Sequence, residues 1–109
     1  MNFKNLKKLY LENNKISDIN VLEKVNFKIL KNLKLSKNEI SDINVLEKVK
    51  LEKLEILYLD NNKISDAKIF EKVNLKNLKE LYLNYNKFKK DEIESIRSKL
   101  ETKFNRVYL

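Results

Sequence analysis

The chain has 109 residues, 42% hydrophobic and 37% charged, with 24 basic side chains against 16 acidic ones and a formal charge of +8. Glycine, proline, cysteine, histidine and tryptophan are all absent. These absences exclude a disulfide framework, thiol or imidazole catalysis, soft-metal sites and a glycine-rich phosphate loop; the balance otherwise fits one folded unit over residues 1–109.

The N-terminal stretch MNFKNLKKLYLENNK has neither an apolar signal core nor a small-residue cleavage site. No apolar run approaches the roughly 20 residues that cross a bilayer. Together with the missing cysteines, this leads to the expectation of an unprocessed, cytoplasmic protein without membrane association. Met1 and Asn2 lead straight into Phe3, so the first apolar unit lacks a polar cap. Its edge is expected to self-associate or to meet a further segment.

From Phe3 the pattern F/L-x-x-L-x-x-L-x-L-x-x-N-x-I/F recurs every 24 residues. Repeat one (3–26) places Phe3, Leu6, Leu9, Leu11, Asn14 and Ile16 on it. Repeat two (27–50) places Phe27, Leu30, Leu33, Leu35, Asn38 and Ile40 there. Repeat three (51–74) follows with Leu51, Leu54, Leu57, Leu59, Asn62 and Ile64, and repeat four (75–90) with Leu75, Leu78, Leu81, Leu83, Asn86 and Phe88. A regular period of this length is the signature of a stacked repeat architecture.

Within each unit, Leu-x-Leu alternates with a period of two, which predicts a short strand whose leucines point inward and whose middle residue points outward. After the asparagine the spacing changes. Ile19, Leu22 and Val25, with Val21 four before Val25, predict one helical stripe with Ser17 or Asp18 as N-cap. Equivalent stripes fall at Ile43, Val45, Leu46 and Val49 and at Ala67, Ile69, Phe70 and Val73. Asn14, Asn38, Asn62 and Asn86 form a ladder of structural amides that can satisfy backbone groups where the chain leaves each strand.

The last segment departs from the period. Asp91 to Phe104 predicts a longer amphipathic helix, with Asp91 and Glu94 as a capping box and Ile93, Ile96, Leu100 and Phe104 on one face. It should cover the end of the stack. Arg106 to Leu109 then resumes the strand alternation, so residues 91–109 read as a C-terminal cap of helix plus strand.

The four in-register units resemble the leucine-rich repeat family from Phe3 to Leu109. The runs NKISDI and NEISDI look most like its internalin and phosphatase-regulator subclass. The resemblance implies a right-handed α/β solenoid with a parallel concave sheet of about five strands and short convex helices. It also implies that the concave sheet takes protein partners.

The residue between the strand leucines gives the column Tyr10, Lys34, Tyr58, Tyr82 and Tyr108, which holds four of the five tyrosines. The fifth, Tyr85, should overhang the same face. One reading is a cross-strand ladder that stabilises the sheet; the other is a row of rigid amphipathic rings for binding. The variable flanking columns, Lys8, Asn32, Ile56, Glu80 and Arg106 on one side and Glu12, Ser36, Asp60 and Asn84 on the other, favour binding. The predicted protein-binding set is therefore Tyr10, Lys34, Ile56, Tyr58, Tyr82, Tyr85 and Tyr108. The near-invariant pairs Glu23-Lys24, Glu47-Lys48 and Glu71-Lys72 read as a solvated convex face.

Three functions compete: protein or peptide binding on the concave face, a structural or engineered scaffold without a specific ligand, and polyanion binding through lysines. Lys31, Lys34 and Lys37 cluster in repeat two, but Glu55 and Asp60 in repeat three interrupt any continuous positive stripe, and only Arg97 and Arg106 are arginines, which disfavours nucleic acid. Open charged faces offer no pocket for acid-base chemistry, so neither an enzyme nor a cofactor is expected.

Overall fold

The computed structural model describes residues 3–109; Met1 and Asn2, part of the expected open edge, lie outside the described residues. The four Leu-x-Leu motifs and the closing Val107-Tyr108-Leu109 each contribute to a three-residue strand: β1 (Lys8–Tyr10), β2 (Asn32–Lys34), β3 (Ile56–Tyr58), β4 (Glu80–Tyr82) and β5 (Arg106–Tyr108). They form one parallel sheet in sequence order. Leu9, Leu33, Leu57 and Leu81 lie opposite one another, and Val107 continues their row.

The crossovers are single 3-10 turns at Asn20–Lys24, Asn44–Glu47 and Lys68–Glu71 rather than α-helical turns. A 3-10 turn rises farther per residue than an α-helix, so it spans the convex side within the few residues a 24-residue period leaves. Asp18 accepts a hydrogen bond from the Asn20 N–H at 2.8 Å, and Asp42 and Asp66 do the same for Asn44 and Lys68 at 2.9 Å. The aspartate, not Ser17, therefore serves the turn, through an Asx geometry; the N-cap position itself is Ile19, with no side-chain bond.

The predicted stripe also needs correction at Val21, which is 55% exposed whereas its equivalents Val45 and Ile69 are each 6% exposed. Val45 and Ile69 have a preceding repeat to pack against among the described residues, and Val21 does not.

Helix α1 spans Lys90–Leu100, and its N-cap is Lys89, which makes no side-chain capping bond. This corrects the Asp91/Glu94 capping box: the helix starts before Asp91, which places that carboxylate inside the first turn. There its charge still favours the positive end of the helix dipole. Glu94 instead pairs with Arg97 one turn on. The helix ends before Phe104, but the Phe104 N–H still donates to the Leu100 carbonyl at 2.9 Å and the ring is buried.

The leucines make the core. Leu30, Leu33, Leu54, Leu57, Leu59, Ile64, Leu81 and Leu83 are among its fully buried members. Burying a side chain of this size contributes roughly 1.5–3 kcal/mol, gained only when a neighbouring repeat covers it. At the C-terminal end Leu100, Phe104 and Val107 supply that cover and are buried themselves. The Lys103 ammonium adds a tie, donating to the Phe70 carbonyl at 2.7 Å and the Val73 carbonyl at 3.3 Å. At the other end Phe3 is 39% exposed against 3% for Phe27, the ring it stacks on at 6.2 Å.

The asparagine ladder holds the turns together from inside. The Asn62 amide nitrogen donates to the carbonyls of Leu35 and Leu59, at 2.9 and 3.1 Å, while its oxygen accepts the Ile40 N–H at 3.0 Å. Asn38 and Asn86 repeat this arrangement, each accepting an N–H from the preceding repeat. Such buried amides are affordable only because donors and acceptors are both met.

Candidate functional site: the concave tyrosine row

Strand register brings the predicted column together. Tyr10 faces Lys34, Lys34 faces Tyr58, Tyr58 faces Tyr82, and Tyr82 faces Tyr108. The Tyr58 and Tyr82 rings stack with centroids 4.4 Å apart and planes 11° from parallel, and Tyr82 and Tyr108 stack at 4.4 Å and 8°. The Lys34 ammonium lies 4.6 Å from the Tyr10 ring centroid and 5.1 Å from that of Tyr58. A cation between two ring faces is held by both quadrupoles, and the Glu12 carboxylate 3.7 Å away adds an ion pair.

The result is a continuous pile of ring, ammonium, ring, ring, ring. Both faces of Tyr82 are covered, so it presents outward only its edge and its hydroxyl. That hydroxyl donates to Glu80 Oε1 at 2.9 Å. Burial between the neighbouring rings, reinforced by the Glu80 carboxylate, raises the phenol well above its ordinary range. Tyr82 therefore stays a neutral donor throughout the physiological range.

The flanking columns stiffen the surface. Ser36 Oγ donates to Asp60 Oδ1 at 2.6 Å, and Asn61 donates to the second Asp60 oxygen at 2.9 Å. Ile56 is half-buried beside Tyr58. Asn84 Oδ1 is buried without a hydrogen-bond partner at the end of its column. Glu12 and Glu80, which hold Lys34 and Tyr82, were absent from the predicted site set. Their place two residues from a column residue, on the same strand face, was the signal that could have included them.

Tyr85 stands apart from the stack, 76% exposed, with a backbone φ of 58°. The same left-handed conformation recurs at Asn13, Lys37 and Asn61, one repeat apart. Asparagine tolerates that region and tyrosine does so at a cost. No glycine marks the position in the sequence, so periodicity alone does not reveal the strain.

Away from this face, a cleft of about 480 Å³ lies between the convex turn of repeat three and α1. Ala67, Ile96 and Leu100 line it together with four acidic and four basic side chains. The cleft is thus electrostatically balanced. Among the described residues no helix is long and apolar enough to cross a membrane.

Comparison with known proteins places this geometry. A leucine rich repeat family model matches residues 4–64, and a model of two leucine rich repeat copies matches residues 52–98. Among solved structures, an internalin (inlF) of Listeria monocytogenes is 34% identical with a TM-score of 0.72, covering 95% of this chain and 28% of that one. An internalin C2 (inlC2) of the same organism is 32% identical, also with a TM-score of 0.72, covering 97% of this chain and 42% of that one. The chain thus spans less than half the length of either internalin. No match emerges among curated proteins. The first family model covers more than half of the sequence, and the chain, with its 24-residue period and parallel sheet, belongs to the leucine-rich repeat family.

Proposed function

We propose that this chain is a single, non-catalytic domain that binds a protein or peptide partner on its concave face. Domains of this family typically act as protein-interaction modules, and the observation that carries the reading is the prepacked tyrosine row. Rings already stacked at 4.4 Å lose little side-chain entropy when a partner docks, which is how rigid aromatic anchors favour association. Tyr58 and Tyr82 form the centre, Lys34, Ile56, Tyr10 and Tyr108 the surround, and Tyr85 a projecting anchor at the rim. The absence of cysteine fits a cytoplasmic setting.

Affinity capture from a lysate of the source organism, comparing the chain with Tyr58→Ser/Tyr82→Ser at low and high salt, tests this. A partner retained at high salt and lost from the variant is the expected result. Undiminished capture by the variant overturns the reading.

The partly exposed apolar residues of repeat one, Phe3, Leu6, Leu9 and Leu11, favour a second reading, in which this edge packs on a second copy. Sedimentation velocity across a hundredfold concentration range decides it. A constant monomer refutes self-association.

A further inference from the structure

The positive charge is not spread evenly. Each repeat turns into its strand through a short segment on the leading rim of the sheet: residues 3–8, 27–32, 51–56 and 75–80, with Arg106 opening β5. These positions carry nine of the 24 basic side chains and three of the 16 acidic ones, a net charge of +6 against +8 for the whole chain. On the opposite rim, where the chain leaves the strands, residues 12–18, 36–42 and 60–66 each carry one net negative charge, whereas 84–90 in repeat four carries three net positive ones. Over repeats one to three the leading rim thus carries +4 and the opposite rim −3, a separation that a uniform solubilising excess of lysine would not produce.

Backbone bonds hold the leading rim in register. The Lys31 N–H donates to the Lys7 carbonyl at 2.8 Å, Glu55 to Lys31 at 2.8 Å, Lys79 to Glu55 at 2.8 Å and Arg106 to Lys79 at 2.9 Å. Stacked turns lie about 4.8 Å apart, so side chains at equivalent positions crowd one another. Glu52 and Glu55 interrupt the run in repeat three, which leaves a patch of Lys4, Lys7, Lys8, Lys28 and Lys31 with no acidic residue within it. All five are exposed, and the ion pairs among the described residues engage Lys34, Lys63 and Arg97 instead. Five like charges held together and left uncompensated are mutually repulsive and call for an anionic partner.

We propose that the leading rim of repeats one and two docks an acidic polypeptide segment. Lysine ammoniums are point charges that meet flexible carboxylates without demanding the planar fork that favours arginine at phosphates. The central rings Tyr58 and Tyr82 have both faces covered and cannot stack a base, which leaves Tyr10 and Tyr108, each stacked on one side, and the isolated Tyr85 rather than a continuous platform. The patch is a strip two turns wide, which suits a strand of polymer rather than a bilayer plane. Lys8 borders the tyrosine row, two residues before Tyr10 on the same strand face, but the other four lysines lie outside the strands, so the proposal stands whether or not that row binds.

The test is fluorescence anisotropy of labelled poly-L-glutamate at low ionic strength. Lys4→Gln/Lys7→Gln/Lys28→Gln/Lys31→Gln should weaken binding about 10-fold or more, while the convex Lys24→Gln/Lys48→Gln/Lys68→Gln/Lys72→Gln, with the same net charge, should change it by less than about 2-fold. Arginine at the four rim positions should preserve binding, as should Tyr58→Ser/Tyr82→Ser. Equal losses in the rim and convex variants would reduce the effect to net charge and overturn the site. Loss in the arginine variant would also overturn it, and loss in the tyrosine variant would overturn the separation of the two surfaces. Tighter binding of oligothymidylate or of phosphatidylglycerol vesicles through the same four lysines would overturn the choice of partner.

Discussion

Repeats one and three spell almost the same words, LYLENNKIS and LYLDNNKIS, in different surroundings. In repeat three Leu57, Leu59 and Ile64 are fully buried, and Asn62 bonds to repeat two as well as to its own turn. In repeat one Leu9, Leu11 and Ile16 are only partly buried. Among the described residues the exposed Asn14 amide donates only to Leu11 and Glu12 of its own turn. A consensus residue in a solenoid has no fixed energetic worth; its neighbours on both sides set it.

The largest expected effect lies in the leucines. Leu57→Ala should cost about 2–5 kcal/mol in denaturant unfolding, since it opens a cavity that neighbours on both sides cannot fill. Leu9→Ala should cost less than half as much. Equal costs would break the comparison.

The ladder comes next. Asn62→Ala strands the Ile40 N–H and removes donors from the Leu35 and Leu59 carbonyls, so a loss of roughly 2–3 kcal/mol is expected. Asn14→Ala should cost about 1 kcal/mol or less, because water replaces its bonds. Thermal melts of the two variants measure the gap.

A third comparison concerns pH. The folded state holds the Tyr82 proton above pH about 10, where the unfolded phenol releases it, so the unfolded state binds fewer protons there and stability falls as pH climbs. Below that window the group contributes no slope. Tyr82→Phe should flatten the alkaline decline, and an unchanged slope would show that the stacked phenol is not its source.

The smallest expected effect has the opposite sign. Tyr85 occupies the left-handed slot that Asn13 and Asn61 fill at lower cost, so Tyr85→Asn should stabilise the fold by on the order of 1 kcal/mol. If Tyr85 anchors a partner, the same variant should weaken capture, which would separate strain kept for binding from strain without use.

Much of this was legible before folding because repeats are local. The period-two leucines became β1 to β4 at the expected places, and Val107 resumed the row as β5. The tyrosine column followed from register alone. Less legible were the boundaries of turns. The 3-10 geometry, the exposure of Val21 and the start of α1 at Lys90 depend on how much chain must span the convex side and on what packs behind it. Polar atoms were harder still. That Asp18 and not Ser17 serves the turn is decided by backbone angles which composition does not encode.

What periodicity determines is the spacing of like residues, and in a parallel stack that spacing is also their neighbourhood: leucine over leucine, asparagine over asparagine, tyrosine over tyrosine. What the tertiary structure decided is how each neighbourhood is used. Rings at 4.4 Å cover one another's faces, and Lys34 completes the pile between Tyr10 and Tyr58. The leading rim of repeats one and two gathers five lysines with no acidic residue among them. Sequence period is a one-dimensional quantity, whereas burial, desolvation and local field depend on everything within a few ångströms in three dimensions.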